Sequence, residues 1–296
     1  MRNKLGVILI CFLYLFSLPN FYSDFNSPSI VKSKEVFALV NTELPLAPKV
    51  KTEVYPYLQA QNYTVIDVLT NKTIFFKNLH ERIYPASITK LVTAITALNI
   101  YPLDEEIIVS ESYTEGKIME LQIGEKISAK SLVQSLLVYS ANDAAFNLAS
   151  HHQNGVAGFI KEMNTMITKY NIKNTHFVNF DGIHNPDHFS TVYDLSQIGR
   201  LAIKNPIILD IVKNKNIIVT DISGTIKHDL LSTNELIEKV PEIEGLKTGW
   251  TPEAGGCFIA LFTVNGRQFI SVVAQSPDRF ADTQKIVNWV KANLYW

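Results

Sequence analysis

The chain has 296 residues, 47% of them hydrophobic and 19% charged, with 13 glycines, 12 prolines and 2 cysteines. That balance excludes collagen-like and low-complexity classes, a disulfide scaffold and a multi-cysteine zinc protein, and it leaves room for one large or two ordinary domains. A formal net charge of −1, without a long basic run, argues against a nucleic-acid-binding role.

The first element is an apolar head. Arg2 and Lys4 precede an apolar stretch from Leu5 to Leu18, the pattern of a secretory signal. Those 14 residues fall short of the roughly 20 that a membrane span needs, but counting on through Tyr22 makes a span possible. The one small-residue cleavage pattern, Val36-Phe37-Ala38, lies far beyond the apolar run. Residues 1–23 therefore read as a signal peptide or an N-terminal membrane anchor, with the anchor favoured. In both cases the body is exported. Cys11 lies in the head and Cys257 in the body, so no disulfide forms within the body, and the apolar neighbours of Cys257 predict an inert buried thiol.

Residues 24–58 carry Pro28, Pro45, Pro48 and Pro56 among polar residues and read as a linker or wrapped arm. The body is expected from about Gln59 to Trp296. It opens with a hairpin, Tyr63–Leu69 and Thr73–Phe76, around Thr70-Asn71-Lys72. Apolar periodicity then predicts helices at 88–99, 128–139, 143–150, 156–170 and 194–204, the last with Thr191 as its cap. Strand character returns at 216–222, 257–264 and 268–275, the last two joined by Asn265-Gly266, a tight-hairpin pair. A final amphipathic helix runs from about Phe280 to Leu294. The expected class is α/β of the α+β type: an antiparallel sheet built from both ends of the chain, closed over a helical lobe.

Three short patterns carry chemistry. Pro85-Ala86-Ser87-Ile88-Thr89-Lys90 opens an apolar helix. A serine hydroxyl needs a base to become a nucleophile, and Lys90, three residues on, shares its helix face. The plain alternative is an N-cap serine beside an unrelated lysine. Tyr139-Ser140-Ala141-Asn142-Asp143 falls at a break between helices, where a hydroxyl and an amide can point into one cleft or simply cap the helix. Ser232-Thr233-Asn234 matches the same pattern and reads as a turn. Gly245-Leu246-Lys247-Thr248-Gly249-Trp250-Thr251 offers a cation, a hydroxyl and a side-chain-free residue on an edge strand, suited to a peptide carboxylate pressed against the backbone. Each is common alone; their order, 53 and 107 residues apart, is not.

Together the patterns resemble the penicillin-recognising serine enzymes, specifically the low-molecular-weight D-alanyl-D-alanine carboxypeptidases. Their flanks, with Phe189-Ser-Thr-Val-Tyr-Asp-Leu195, extend the likeness over residues 59–290. The resemblance implies a β-lactamase/transpeptidase-like fold and removal of the terminal D-alanine from peptidoglycan stem peptides. It makes Ser87 the nucleophile, Lys90 its base and Ser140 the proton shuttle to the leaving amine. Asn142 would hold the substrate amide, Lys247, Thr248 and Gly249 would receive the carboxylate, and the backbone N–H groups of Ser87 and Trp250 would form the oxyanion hole. It implies acylation of Ser87 by β-lactams, and no metal or cofactor. Arg279 matches an arginine the family places near the carboxylate; a surface ion pair is the alternative. Trp250 departs from the usual tyrosine or histidine, but only its backbone is used.

Four other readings compete. A β-lactamase of class A needs a glutamate to activate water, and the stretch Thr175–Gly182 has Asp181 instead. A metallopeptidase is suggested by His184 and His188, but Pro186 between them opposes the helix their spacing requires. A DD-endopeptidase of the same fold, or an inactive wall-binding protein, completes the alternatives.

Overall fold

The computed structural model describes residues 45–296, so the apolar head and the first part of the Pro-rich arm lie outside the described residues. In chain order the elements are β1 (Lys49–Val50), β2 (Asn62–Asp67), β3 (Thr73–Lys77), a 3-10 turn (Ala86–Ile88), α1 (Thr89–Ile100), β4 (Glu106–Ile108), β5 (Lys126–Ser128), α2 (Ala129–Val138), α3 (Asn142–Ser150), α4 (Gly155–Lys169), α5 (Val192–Ala202) and α6 (Pro206–Val212). There follow β6 (Asn216–Thr220), β7 (Lys227–Leu231), β8 (Ile243–Thr251), β9 (Gly255–Val264), β10 (Arg267–Ser276), α7 (Arg279–Asn293) and β11 (Leu294–Tyr295).

The central sheet has the order β3-β2-β10-β9-β8, and every neighbouring pair is antiparallel. Both ends of the chain build it, as the sequence predicts. Asn265 (φ 48°) and Gly266 (φ 76°) make the tight β9–β10 turn, in the left-handed conformation those residue types tolerate. Alternation along the strands gives the sheet two buried faces. Cys257, Ile259 and Leu261 of β9 and Ile270, Val272 and Ala274 of β10 join the core shared with the helical lobe. Phe258, Ala260, Phe262, Phe269 and Val273 face the other way, onto Ile286, Val287, Trp289 and Val290 of α7.

Caps explain where several helices start. The Ser128 and Thr191 hydroxyls accept from Ser131 N and Asp194 N, and Asp278 accepts from Phe280 N and Ala281 N. Several elements were not anticipated: the short strands β1, β4, β5 and β11, and with them α6 and β7. Asn205 caps α6 with Pro206 at its first position, a helix too short for periodicity to reveal. β7 pairs with β6 as a small separate hairpin. The arm's last residues lie against the body: β1 pairs with β11, Trp289 Nε1 donates to Val54 O, and Leu58 is buried. Among the described residues no helix is long and apolar enough to cross a membrane.

Candidate active site

The three sequence patterns meet at β8, the edge strand of the central sheet. Ser87 sits in the 3-10 turn that leads into α1, and no side-chain cap bond forms at either helix start. The N-cap alternative for Ser87 therefore does not apply. The turn is held from three sides. Ala86 has φ 48°, and its carbonyl accepts from Thr89 Oγ1 at 2.8 Å. Thr89 in turn contacts His188 Nε2 at 2.8 Å, and His188 Nδ1 accepts from Val178 N. Burial, with His176, Lys90 and His184 nearby, holds His188 down to about 3, so it remains neutral. That is its observed use, in a loop with Pro186, and among the described residues no metal-binding cluster occurs.

Close approach explains two glycines. A Cβ on Gly249 of β8 would lie 2.9 Å from Ser87 N and 3.1 Å from Pro85 O, so β8 can slide under the turn only without a side chain. Gly182 (φ 88°) presses the Asp181 loop on the turn's other side, where a Cβ would strike Ala86 O.

Lys90 is fully buried. Its Nζ lies 3.0 Å from Ser87 Oγ and donates to Asp181 O at 2.7 Å. Burial lowers its pKa to about 8, against the opposing pull of Asp181. An amine whose pKa lies at about 8 supplies a fraction of neutral form around neutral pH and, touching a hydroxyl, can act as a base. The second pair is built the same way. Ser140, at φ 71° between α2 and α3, is 3.0 Å from Lys247 Nζ, which also donates to Thr248 O. Burial first, then the charges of Lys90, Lys117 and Arg279, hold Lys247 well below the usual lysine range.

Asn142 opens α3. Its backbone N donates to Lys117 O, and its Nδ2 donates to Glu115 O at 2.9 Å, which leaves Oδ1 to accept from a ligand amide. The loop it grips is held again by Asp143, whose carboxylate accepts from Met119 N and Leu121 N. Thr248 Oγ1 donates to Thr233 Oγ1 at 2.7 Å. The 232–234 segment is a turn, as expected, but it also lines the site through Thr233. Arg279 packs its guanidinium over Phe280, its Nε is buried without a partner, and it forms no ion pair among the described residues. Trp250 is 60% exposed beside the cleft. Cys257 is buried, and desolvation raises its thiol to about 11, which makes it inert.

Sequence reasoning missed Tyr113, Lys117, Asp143 and Thr233 as site neighbours. Asp143 carried a signal in its place beside Asn142, and Thr233 one in the Ser232-Thr233-Asn234 match.

Comparison with known proteins decides the family. The family model for D-alanyl-D-alanine carboxypeptidases matches residues 49–278. The chain belongs to that family. A D-alanyl-D-alanine carboxypeptidase of Streptomyces sp. strain K15 is 31% identical over 74% of this chain and 83% of its own length. One from Haemophilus influenzae is 29% identical over 81% of this chain but only 63% of its own length. The crystal structure of the Streptomyces K15 DD-transpeptidase superposes with a TM-score of 0.77 at 30% identity, over 81% of this chain and 99% of that one. The carboxypeptidase family thus carries the expected fold, and the patterns around Ser87, Ser140 and Lys247 fall inside the matched span.

Proposed function

We propose that the chain is a serine-type D-Ala-D-Ala carboxypeptidase working through an acyl-enzyme on Ser87. The observation that carries this reading is the buried Lys90 amine, 3.0 Å from Ser87 Oγ and tied to Asp181 O. With one N–H on that carbonyl, the neutral amine aims its lone pair at the hydroxyl. Ser87 Oγ attacks the carbonyl between the two D-alanines as Lys90 takes its proton. The oxyanion is received by the Ser87 and Trp250 backbone N–H groups. Ser140, paired with Lys247, passes a proton to the departing D-alanine amine. Water then attacks the ester, the Ser87–acyl bond breaks, and the shortened peptide leaves. Asn142 Oδ1 takes a substrate amide, while the Thr248 hydroxyl, turned from Thr233, and the half-buried Arg279 donate to the terminal carboxylate. β-Lactams present the same carbonyl beside a carboxylate and acylate Ser87. The apolar head, residues 1–23, holds the enzyme at the outer face of the membrane.

The test is D-alanine release from diacetyl-Lys-D-Ala-D-Ala, together with labelling by a fluorescent penicillin. Wild type releases D-alanine and takes the label; Ser87→Ala does neither. A folded wild type that takes no label overturns the reading. Label without D-alanine release moves the assignment to peptide cross-linking or endopeptidase work.

A further inference from the structure

Asp181 reaches the site in two ways. Its carbonyl accepts from Lys90 Nζ at 2.7 Å, and its carboxylate, buried beneath the cleft, accepts from Tyr113 Oη at 2.6 Å and from Ile183 N at 3.2 Å. Tyr113 arrives from the loop between β4 and β5, 68 residues away in sequence. Its ring is stacked on Phe146 of α3 (centroids 4.9 Å apart, planes at 17°) and meets Phe180 edge-on at 5.6 Å. Two aromatic partners fix the phenol, so its hydroxyl has one direction to donate. Burial and the Asp181 carboxylate keep that phenol protonated well above its ordinary range.

We propose that Tyr113 and Asp181 form a positioning pair that sets the orientation and proton affinity of Lys90. The proposal rests on Lys90 being the base, as argued above. The Asp181 backbone fixes where the Lys90 lone pair points, and its carboxylate is the negative charge that favours the ammonium. The Tyr113 hydroxyl both anchors that carboxylate and offsets part of its charge. A base needs this balance: too strong a carboxylate leaves Lys90 protonated, and none leaves it a weak acceptor.

The other groups facing Lys90 are Ser87 on its own turn, His188 on the loop that carries Asp181, and Lys247 on β8, with Glu115 behind Tyr113. Among the described charged groups, Asp181 alone pulls Lys90 upward, against the burial that brings it to about 8. No glutamate is needed for this role, and Asp181 stands in the stretch where a class A β-lactamase would need one. Both of its carboxylate oxygens are occupied by protein donors, which suits a brace and leaves it poorly placed to activate water.

The experiment is the pH profile of the second-order acylation rate with a fluorescent penicillin, for wild type, Asp181→Asn and Tyr113→Phe. Asp181→Asn keeps the carbonyl and the shape but removes the charge, so the acid limb moves down by about one pH unit. Tyr113→Phe removes the offset and moves the limb up. Opposite shifts support the pair. A fall in rate at every pH with unmoved limbs overturns it, because loss of packing alone does not change where Lys90 titrates. Should Asp181→Asn fail to fold, Tyr113→Phe carries the test with a single hydroxyl removed. Failure of the underlying reading looks different: wild type itself takes no label.

Discussion

Lys247 Nζ lies 3.0 Å from Ser140 Oγ, which repeats on β8 the amine–hydroxyl pair that Lys90 and Ser87 form at the start of α1. Among the described residues the Ser140 hydroxyl has no other protein donor, as the proposed relay requires. Ser140→Ala and Lys247→Gln are each expected to slow acylation by about 10²- to 10⁴-fold, the range for losing a positioned proton-transfer group. The double variant should be no slower than the slower single, within a small factor. Rates of penicillin acylation for the four proteins close the cycle; multiplicative losses would separate the two residues.

Because burial brings Lys90 to about 8, its neutral form is scarce at low pH and dominant above that value. The sign follows directly. The acylation rate of wild type should climb about tenfold per unit as pH rises toward 8 and level off above it. Measured with penicillin at constant ionic strength, a profile flat from pH 6 to 9 would deny Lys90 the role of base.

Gly249 tests how closely β8 and the nucleophile turn must approach. A Cβ there meets backbone at Ser87 N (2.9 Å) and Pro85 O (3.1 Å), neither the end of a flexible side chain. Gly249→Ala must push the turn away from β8, and with it the Ser87 N–H from the oxyanion position. The expected loss in acylation is about 10²- to 10³-fold, as for one missing oxyanion donor. Near-UV circular dichroism should stay native. Full activity in the alanine variant would show that the two backbones can part without harm.

Arg279 is half-buried with an unpartnered Nε, and burial lowers its pKa, as expected of a cation awaiting an anion. Arg279→Ala should raise KM for a free-carboxylate peptide by about 10- to 100-fold, the worth of one charged hydrogen bond. It should leave kcat much less affected. A C-terminally amidated peptide supplies the control. Wild type should discriminate strongly against it, and the variant should not; equal discrimination in both would move Arg279 out of the carboxylate site.

What could be read from the chain depended on distance along it. Ser87 and Lys90 share one helix face, Asn265-Gly266 encodes its own turn, and Thr191 caps a helix three residues away, so each was visible locally. The partners that complete the site are remote. Asp181 is 91 residues from Lys90, Thr233 is 15 from Thr248, and the Glu115 carbonyl that binds the Asn142 amide is 27 away. Those contacts exist only once the sheet has closed on the helical lobe. No periodicity encodes a loop that crosses another element, and Tyr113 looks like any loop tyrosine until Phe146 and Asp181 face it.

Among the described residues Asp67 and Arg267 are the most widely separated side chains bonded to one another, 200 residues apart and joined by two hydrogen bonds of 2.6 and 2.7 Å across the β2–β10 pairing. The Asp67 side chain is fully buried and that of Arg267 nearly so, and the guanidinium also packs near the Trp296 ring at 5.2 Å. Burial alone would raise the Asp67 carboxyl, but Arg267 and Thr70 hold it below its ordinary 3.8. Its contribution to stability is therefore complete above pH 3.8 and is lost as pH falls through the lower folded value. Arg267→Met leaves a carboxylate stranded in the core and should cost about 3–5 kcal/mol in urea unfolding followed by tryptophan fluorescence. Adding Asp67→Leu removes the stranded charge and should recover most of that loss, since an apolar pair of similar volume is often as stable as a buried ion pair. A double variant no more stable than Arg267→Met would mean that the pair holds the register between the two ends of the chain, which burial of apolar surface cannot replace.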